Sequence, residues 1–360
     1  MSMTVSEQVE KELTGQGARG VWNSVKAKFY GNNFLVLITI VLFIGIYVAG
    51  VIIYKNKNFG SLNSFFDMLN SNPGLIVIAA GMTMVLISGG IDISVGAQVA
   101  MYCMMFAFFM ERQNVNCYVM IVIVLVTGVV FGLAQGALVS YFKIQPFIVT
   151  LAGMFFARGM TAVISPQTID ITNRDFMALA TFKIKFPFGG YTNAAGAYQT
   201  PFIYLSVVLA FIALIALFVV MQWTSFGRNV YAVGGSEQSA LLMGLNVKRI
   251  KLGVYTVNGL LTAFGGFLFC LFSTGGAVEK AQGFEMQAIA SAVIGGTPLT
   301  GGVGNVLGSL FGVLVQTTIT KFINFNGTLA NGWSSIVLAA IMSFFIILQS
   351  VFAWARSRRN

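Results

Sequence analysis

The chain has 360 residues, of which 57% are hydrophobic and 9% charged, and its mean hydropathy of +0.82 lies far above that of a soluble globular protein of this length. It contains no histidine, and Cys103, Cys117 and Cys270 show no ligand spacing, so neither a metal site nor histidine-based catalysis is expected. The formal charge of +10 is dispersed over loops and ends, which reads as the basic loops of a polytopic membrane protein and not as a nucleic-acid-binding patch.

Residues 1–33 form a basic N-terminal segment ahead of the first apolar run, which extends from Phe34 to Tyr54. At 21 residues that run spans about 30 Å of hydrocarbon as a helix, and with no secretory signal visible before it, it is expected to be retained. The next apolar stretch, 73–110, is 38 residues long, about twice one crossing, and the string GGIDISVG at 89–96 breaks it near its middle. Asp92 is the only acid in it before Glu111. Runs 118–142, 146–165, 202–222 and 252–273 each read as one crossing, with Pro146 and Pro201 placed as helix-start residues. A second 38-residue stretch, 284–321, is interrupted by GGTPLTGGVG at 295–304, whose five glycines and one proline no continuous helix would tolerate cheaply. The run 332–354 closes the transmembrane domain, 34–354, and 355–360 is a basic tail. With each interrupted stretch counted as a pair of short helices, the expected fold is an all-α polytopic membrane protein of about ten transmembrane helices with two interrupted hairpins.

The positive-inside rule places both termini in the cytoplasm. On that orientation the cytoplasmic segments hold Lys11, Arg19, Lys26, Lys28, Lys143, Arg228, Lys248, Arg249, Lys251, Arg356, Arg358 and Arg359. The loop 166–201, carrying Arg174, Lys183 and Lys185, then lies outside. Gly128, Gly132 and Gly136 match Gly304, Gly308 and Gly312 at an offset of 176 residues, in the fourth and ninth spans. Two readings stand: glycine faces for close helix packing, or an inverted repeat of five spans each.

Asp92 sits where a charge is costly. Its carboxylate is placed to cap the helix that begins at Val95 by accepting the free amides of the first turn. Alternatively Asp92, Ser94, Gln98, Thr297 and Thr300 line a hydrated route and hydrogen-bond a polyhydroxylated solute. Within the loop 223–251, residues Ser236 to Met243 have the signals of a short helix, with Ser236 as its N-cap, Glu237 in its first turn and Gly244 as its stop. Such a helix is either a knob for a partner's groove or an amphipathic element on the membrane surface, where lipid is its partner. Arg158, inside the fifth span, either snorkels to the outer interface or pairs with a carboxylate in the core.

The strings GMTMVLISGGIDISVGA (81–97), PFIVTLAGMFFARG (146–159), FGRNVYAVGGSEQSALLMGLNV (226–247) and IGGTPLTGGVGNVLG (294–308) closely resemble permease subunits of bacterial ABC importers for monosaccharides. These are of the ribose, galactose, xylose and galactofuranose type, in the superfamily that also holds branched-chain amino-acid permeases. The resemblance runs from about residue 34 to the end. It implies a non-catalytic permease of the bacterial inner membrane that pairs with a second permease subunit, in a homo- or heterodimer, and receives sugar from a periplasmic or lipoprotein binding protein. A cytoplasmic ATPase subunit would drive it, with ATP and Mg used there and no cofactor bound by this chain, which has no GxxxxGK[ST] phosphate loop. By the same resemblance Arg228, Gly235, Glu237, Ala240 and Gly244 belong to the element that docks on the ATPase. Where the family loop reads close to Asn-Glu-Glu-Ala-Ala-Arg-Leu, this chain has Ser236-Glu237-Gln238-Ser239-Ala240-Leu241-Leu242, a loss of polar positions consistent with a dedicated or asymmetric partner.

Other functions fit less well. An amino-acid or other small polar solute is the first alternative, and an ion-coupled secondary transporter the second, although the latter usually needs a relay of embedded acids or histidines. A membrane enzyme would need a nucleophile with a base or a metal cluster, and no catalytic or metal residue is assigned.

Overall fold

A computed structural model of the chain describes residues 33–192, 198–327 and 332–357. The N-terminal segment up to residue 32 and the last three residues of the basic tail, on which part of the orientation rests, lie outside the described residues. The helices in chain order are α1 (Asn33–Ile53), α2 (Leu62–Asn70), α3 (Pro73–Ile87), α4 (Val95–Arg112), α5 (Cys117–Ser140), α6 (Pro146–Ile164) and α7 (Arg174–Thr181). They continue with α8 (Leu205–Trp223), α9 (Ser225–Gly235), α10 (Glu237–Leu242), α11 (Val247–Ser273), α12 (Phe284–Ile294), α13 (Val306–Asn326) and α14 (Gly332–Ser357). Three antiparallel two-stranded ribbons join loops: β1 (Ile169–Asp170) with β6 (Gly275–Gly276), β2 (Lys183–Lys185) with β5 (Phe202–Tyr204), and β3 (Tyr191–Thr192) with β4 (Tyr198–Gln199).

The protein is an all-α polytopic membrane protein. Six helices among the described residues are long and apolar enough to cross a membrane, and α2 with α3, bent by 60° at Ser71–Asn72, makes a seventh if counted as one span. The expected total of about ten helices, with short ones at the two interruptions, is not confirmed by this count among the described residues. The 11 residues of α12 rise about 16 Å and cannot cross alone, as befits one of the short helices of an interrupted pair. Both 38-residue stretches are nevertheless interrupted where the glycine clusters fall, between Ile87 and Val95 and between Ile294 and Val306.

At the centre lies α3, all 15 residues of which are buried among α8, α11, α12 and α13. A helix apolar on every side is what such a position requires. Against α11 packs α5, and the contact is backbone to backbone: a methyl group on Gly132 would lie 2.3 Å from the carbonyl of Tyr255, and one on Gly259 would lie 2.3 Å from that of Gly128. The opposite face of α5 exposes Val119, Val122, Val126 and Val130, residues suited to lipid. Gly308 and Gly312, in contrast, close against Gly295 and Ser291 at the end of α12, and Gly304 lies outside the helix. A shift of five spans carries α5 onto α13 and α11 onto α3, and α13 does pack against α3, but the glycines of the two rows meet different helices.

Three boundaries move. Pro146 does open α6, but Pro201 does not open α8, because Asn70 grips the backbone that follows it: its amide nitrogen donates to the carbonyl of Phe202 at 3.0 Å, and its oxygen accepts from the amide of Tyr204 at 3.0 Å. Residues 202–204 consequently pair with β2, and the helix starts at Leu205. The loop 223–251 is mostly helical, and α11 begins within it at Val247, capped by Asn246. At the C-terminus α14 runs through Ser357, past the expected end at 354.

Arg158 reaches the loop on the side of residues 166–201, as expected of a snorkelling side chain, and is bonded there. Its Nη1 donates to the backbone carbonyls of Val278 at 2.6 Å and Lys280 at 2.9 Å, pinning the segment between β6 and α12. On the side of the 166–201 loop, the Glu111 carboxylate accepts from the amide and hydroxyl of Thr172, both at 2.7 Å, and from the amide of Asn173 at 2.8 Å, which fixes the start of α7.

Candidate functional site

Asp92 lies at the first break, 1% exposed, and its three hydrogen bonds do not reach the first turn of α4. Oδ1 accepts from the backbone amide of Ser94 at 2.9 Å and from the Ser94 hydroxyl at 2.5 Å, while Oδ2 accepts from the Asn258 amide of α11 at 2.8 Å. Ser94 itself is the N-cap residue and its side chain makes no cap bond. The expected cap therefore becomes an Asx-type turn around Ser94, and the carboxylate looks toward α11.

Ser94 extends the network. Its oxygen accepts from Gln98 Nε2 at 2.7 Å and from Gln135 Nε2 of α5 at 2.8 Å, and Gln98 Oε1 accepts from the Tyr102 hydroxyl at 2.9 Å. All these side chains are buried, so the groups expected to line a hydrated route form a sealed clasp that ties the first break to α5 and α11. A carboxylate supplied with three donors is far less costly to bury than one left bare. Thr297 and Thr300 do not join it. Thr297 is buried, with its hydroxyl unpartnered among the described residues, and Thr300 is exposed.

Three glycine turns meet beneath this clasp. The amide of Gly302 in the second break donates to the carbonyl of Ile87 at the end of α3, at 2.8 Å. Gly234, near the end of α9, lies so close to both that a methyl group there would sit 1.7 Å from the Ile87 oxygen and 2.8 Å from the Gly302 nitrogen. Gly302 has φ of +77°, a conformation other residues rarely adopt. Tyr231, one turn earlier on α9, donates its hydroxyl to the carbonyl of Gly304 at 2.9 Å. Helix α9 is thus bonded to the second break and in van der Waals contact with the first.

The chain then turns into α10. Ser236 accepts from the amide of Ser239 at 3.2 Å, Gly244 has φ of +79°, and the amide of Leu245 donates to the Ala240 carbonyl at 3.0 Å, so the cap and the stop read from the sequence are both present. Ala240 is fully buried, whereas Leu241, Leu242 and Met243 are exposed, Leu242 at 90%. Glu237 is held by Lys251 at 2.6 Å, and Arg228 is spent on its own turn, with Nη2 donating to the Ser225 hydroxyl at 2.9 Å. Gly235 and Gly244 have open space where a side chain would be; Gly244 takes the left-handed turn with φ of +79°, while the backbone of Gly235 faces Gly302.

The sequence reading missed a cavity of about 720 Å³ at the far end of α3, between α2, α13 and the residues around Phe202. Gln316, Thr317, Thr320, Lys321 and Asn324 line it from α13. Their i, i+1, i+4, i+5, i+8 spacing makes one polar stripe, a signal present in the sequence but straddling the end of the run 284–321 read as apolar.

A helical bundle with two interrupted helices gripped by one exposed loop defines a membrane permease by class. Within that class, the chain belongs to the family described as the branched-chain amino acid transport system permease component, whose model matches residues 64–346. It is 37% identical over 308 residues to the inner membrane ABC transporter permease protein YjfF of Escherichia coli (strain K12), covering 85% of this chain and 90% of that one. It is 33% identical over 314 residues to the fructose import permease protein FruG of Bifidobacterium longum (strain NCC 2705), covering 87% and 89% respectively. Against the ribose import permease protein RbsC of Escherichia coli (strain K12) the identity is 30% over 299 residues, covering 82% and 88%. No solved structure matches the chain significantly.

Proposed function

We propose that this chain is the membrane-spanning, non-catalytic subunit of an ATP-driven importer and forms the path for a monosaccharide delivered by a binding protein. The observation that carries the reading is the contact of α9 with both helix breaks, Gly234 against Ile87 and Tyr231 on Gly304. A partner seated on the apolar tip of α10 would move α9, and α9 cannot move without displacing the end of α3 and the second break. The partner is a cytoplasmic ATPase that uses ATP and Mg, since this chain carries no phosphate loop of its own. This orientation puts α10, both breaks and both termini on the cytoplasmic side of the bacterial inner membrane, with a second permease subunit, like or unlike, completing the path.

Relatives named for fructose, galactose and ribose import favour a sugar over the amino acid in the family description. An ion-coupled mechanism is disfavoured because the one acid in the first break is sealed inside its clasp. The test is reconstitution with the binding protein and the ATPase. Hydrolysis stimulated severalfold by a sugar-loaded binding protein is expected, and stimulation by an amino acid with none by any sugar would overturn the choice of substrate.

A further inference from the structure

The 720 Å³ cavity and the glycine junction occupy opposite ends of the same buried helix, α3, whose 15 residues separate them by about 20 Å. Asn72 and Leu75 at the start of α3 line the cavity, while Ile87 at its other end makes the junction. If the loop 223–251 is cytoplasmic, as proposed above, the cavity faces outside.

Its chemistry is specific. Several lining side chains are already committed: Gln316 donates to the Gln287 carbonyl and the Ser291 hydroxyl, both at 2.9 Å, and Asn72 donates to the Thr317 hydroxyl at 3.1 Å. Those bonds make a rigid wall. Others are open, since the side chains of Gln287, Thr320 and Asn324 make no hydrogen bond among the described residues and can both donate and accept. The rings of Phe202, Tyr204, Phe272 and Phe325 also line the space and supply apolar faces. The one cation among the described lining residues, Lys321, is spoken for: it donates to the Ser64 carbonyl and lies 3.7 Å from the Asp67 carboxylate. A second ammonium, Lys183, lies over the rings of Phe202 and Tyr204 at 4.5 and 5.4 Å, so both nearby cations are engaged, and hydroxyl groups would find amides, a threonine and ring faces.

We propose that this cavity is the entry site of the path and holds a neutral polyhydroxylated molecule of monosaccharide size. The inference rests on the importer reading and adds to it a place and a set of residues. Thr320 and Asn324, one turn apart on α13, contact the solute's hydroxyl groups, and an aromatic face covers its apolar side.

Thiol labelling in the full-length chain tests this. Cys103, Cys117 and Cys270 are buried, so the background is low. Thr320→Cys and Asn324→Cys are exposed separately, in spheroplasts, to a membrane-impermeant maleimide with D-ribose, D-galactose, D-fructose or L-leucine present at about 100 mM, far above a millimolar dissociation constant. Both cysteines are expected to react. The sugar that the reconstituted importer transports slows the reaction about fivefold, and leucine does not. If a sugar that the importer transports leaves both rates unchanged, the cavity is not the entry site and the importer reading stands. Failure of both positions to label also overturns the inference, because the cavity would then be closed to the outside. If leucine protects and is transported while no sugar is, the substrate class falls together with the reading on which it rests.

Discussion

The amide of Gly302 donates to the carbonyl of Ile87 at 2.8 Å, so the second helix break hangs directly on the end of the most buried helix, with Gly234 of α9 wedged beside the bond. Two interrupted helices and the loop that follows the sixth expected span thereby behave as one mechanical unit.

Gly234→Ala places a methyl group 1.7 Å from a backbone oxygen, and backbone cannot move aside cheaply. We predict that transport falls at least about tenfold while the ATPase still binds, as read by uptake in proteoliposomes alongside co-purification. Gly235→Ala is the control, because a methyl group there meets nothing within 4 Å, and its transport should stay near wild type.

Asp92→Ala strips three donors of their acceptor and should cost about 3 kcal/mol, seen as a lower midpoint of thermal unfolding in detergent. Asp92→Asn keeps one acceptor oxygen and should lose less. Were Asp92 a contact for solute and not a clasp, Asp92→Asn would impair transport with no change in unfolding.

Leu242→Asp tests docking. The side chain is 90% exposed, so the fold should be unaffected, yet a charge on the apolar tip of α10 should abolish co-purification of the ATPase. Ser236→Ala, which removes the cap of the same helix, should weaken docking less, by about 1 kcal/mol.

Much of this was legible in the sequence because it was written locally. A doubled apolar length with a cluster of glycines at its middle announces an interrupted pair, and Ser236 followed by Gly244 brackets a short helix. The glycine junction was not legible, since Ile87, Gly234 and Gly302 are far apart in the chain and each looks like an ordinary turn residue. Pro201 misled because the tertiary grip of Asn70 overrides a local preference. The polar stripe from Gln316 to Asn324 was missed because most of it falls in the run 284–321 read as apolar and its end lies beyond, although its helical spacing was there to be read. Asp92 drew attention for the right physical reason, the cost of burying a charge, but its partner Asn258 lies 166 residues away and only the fold brings the two together.

Glu111, just past the apolar run 73–110, gives a pH-dependent prediction. Burial raises its carboxyl, but the bonds from Thr172 and the Asn173 amide outweigh burial and hold it below the ordinary glutamate value. A depressed pKa means the link is fully present above the ordinary value and is lost as pH falls through the lowered one. Proteolytic cleavage in the 166–201 loop should therefore be constant down to about pH 5 and rise below about pH 4. Glu111→Gln should show the raised cleavage at every pH.

Uptake of labelled sugar into proteoliposomes tests the central claim most directly. With binding protein outside and ATPase with ATP and Mg inside, wild-type chain should accumulate sugar, Gly234→Ala should not, and omission of the ATPase should abolish uptake. Uptake that persisted without the ATPase and collapsed on adding a proton uncoupler would contradict the account.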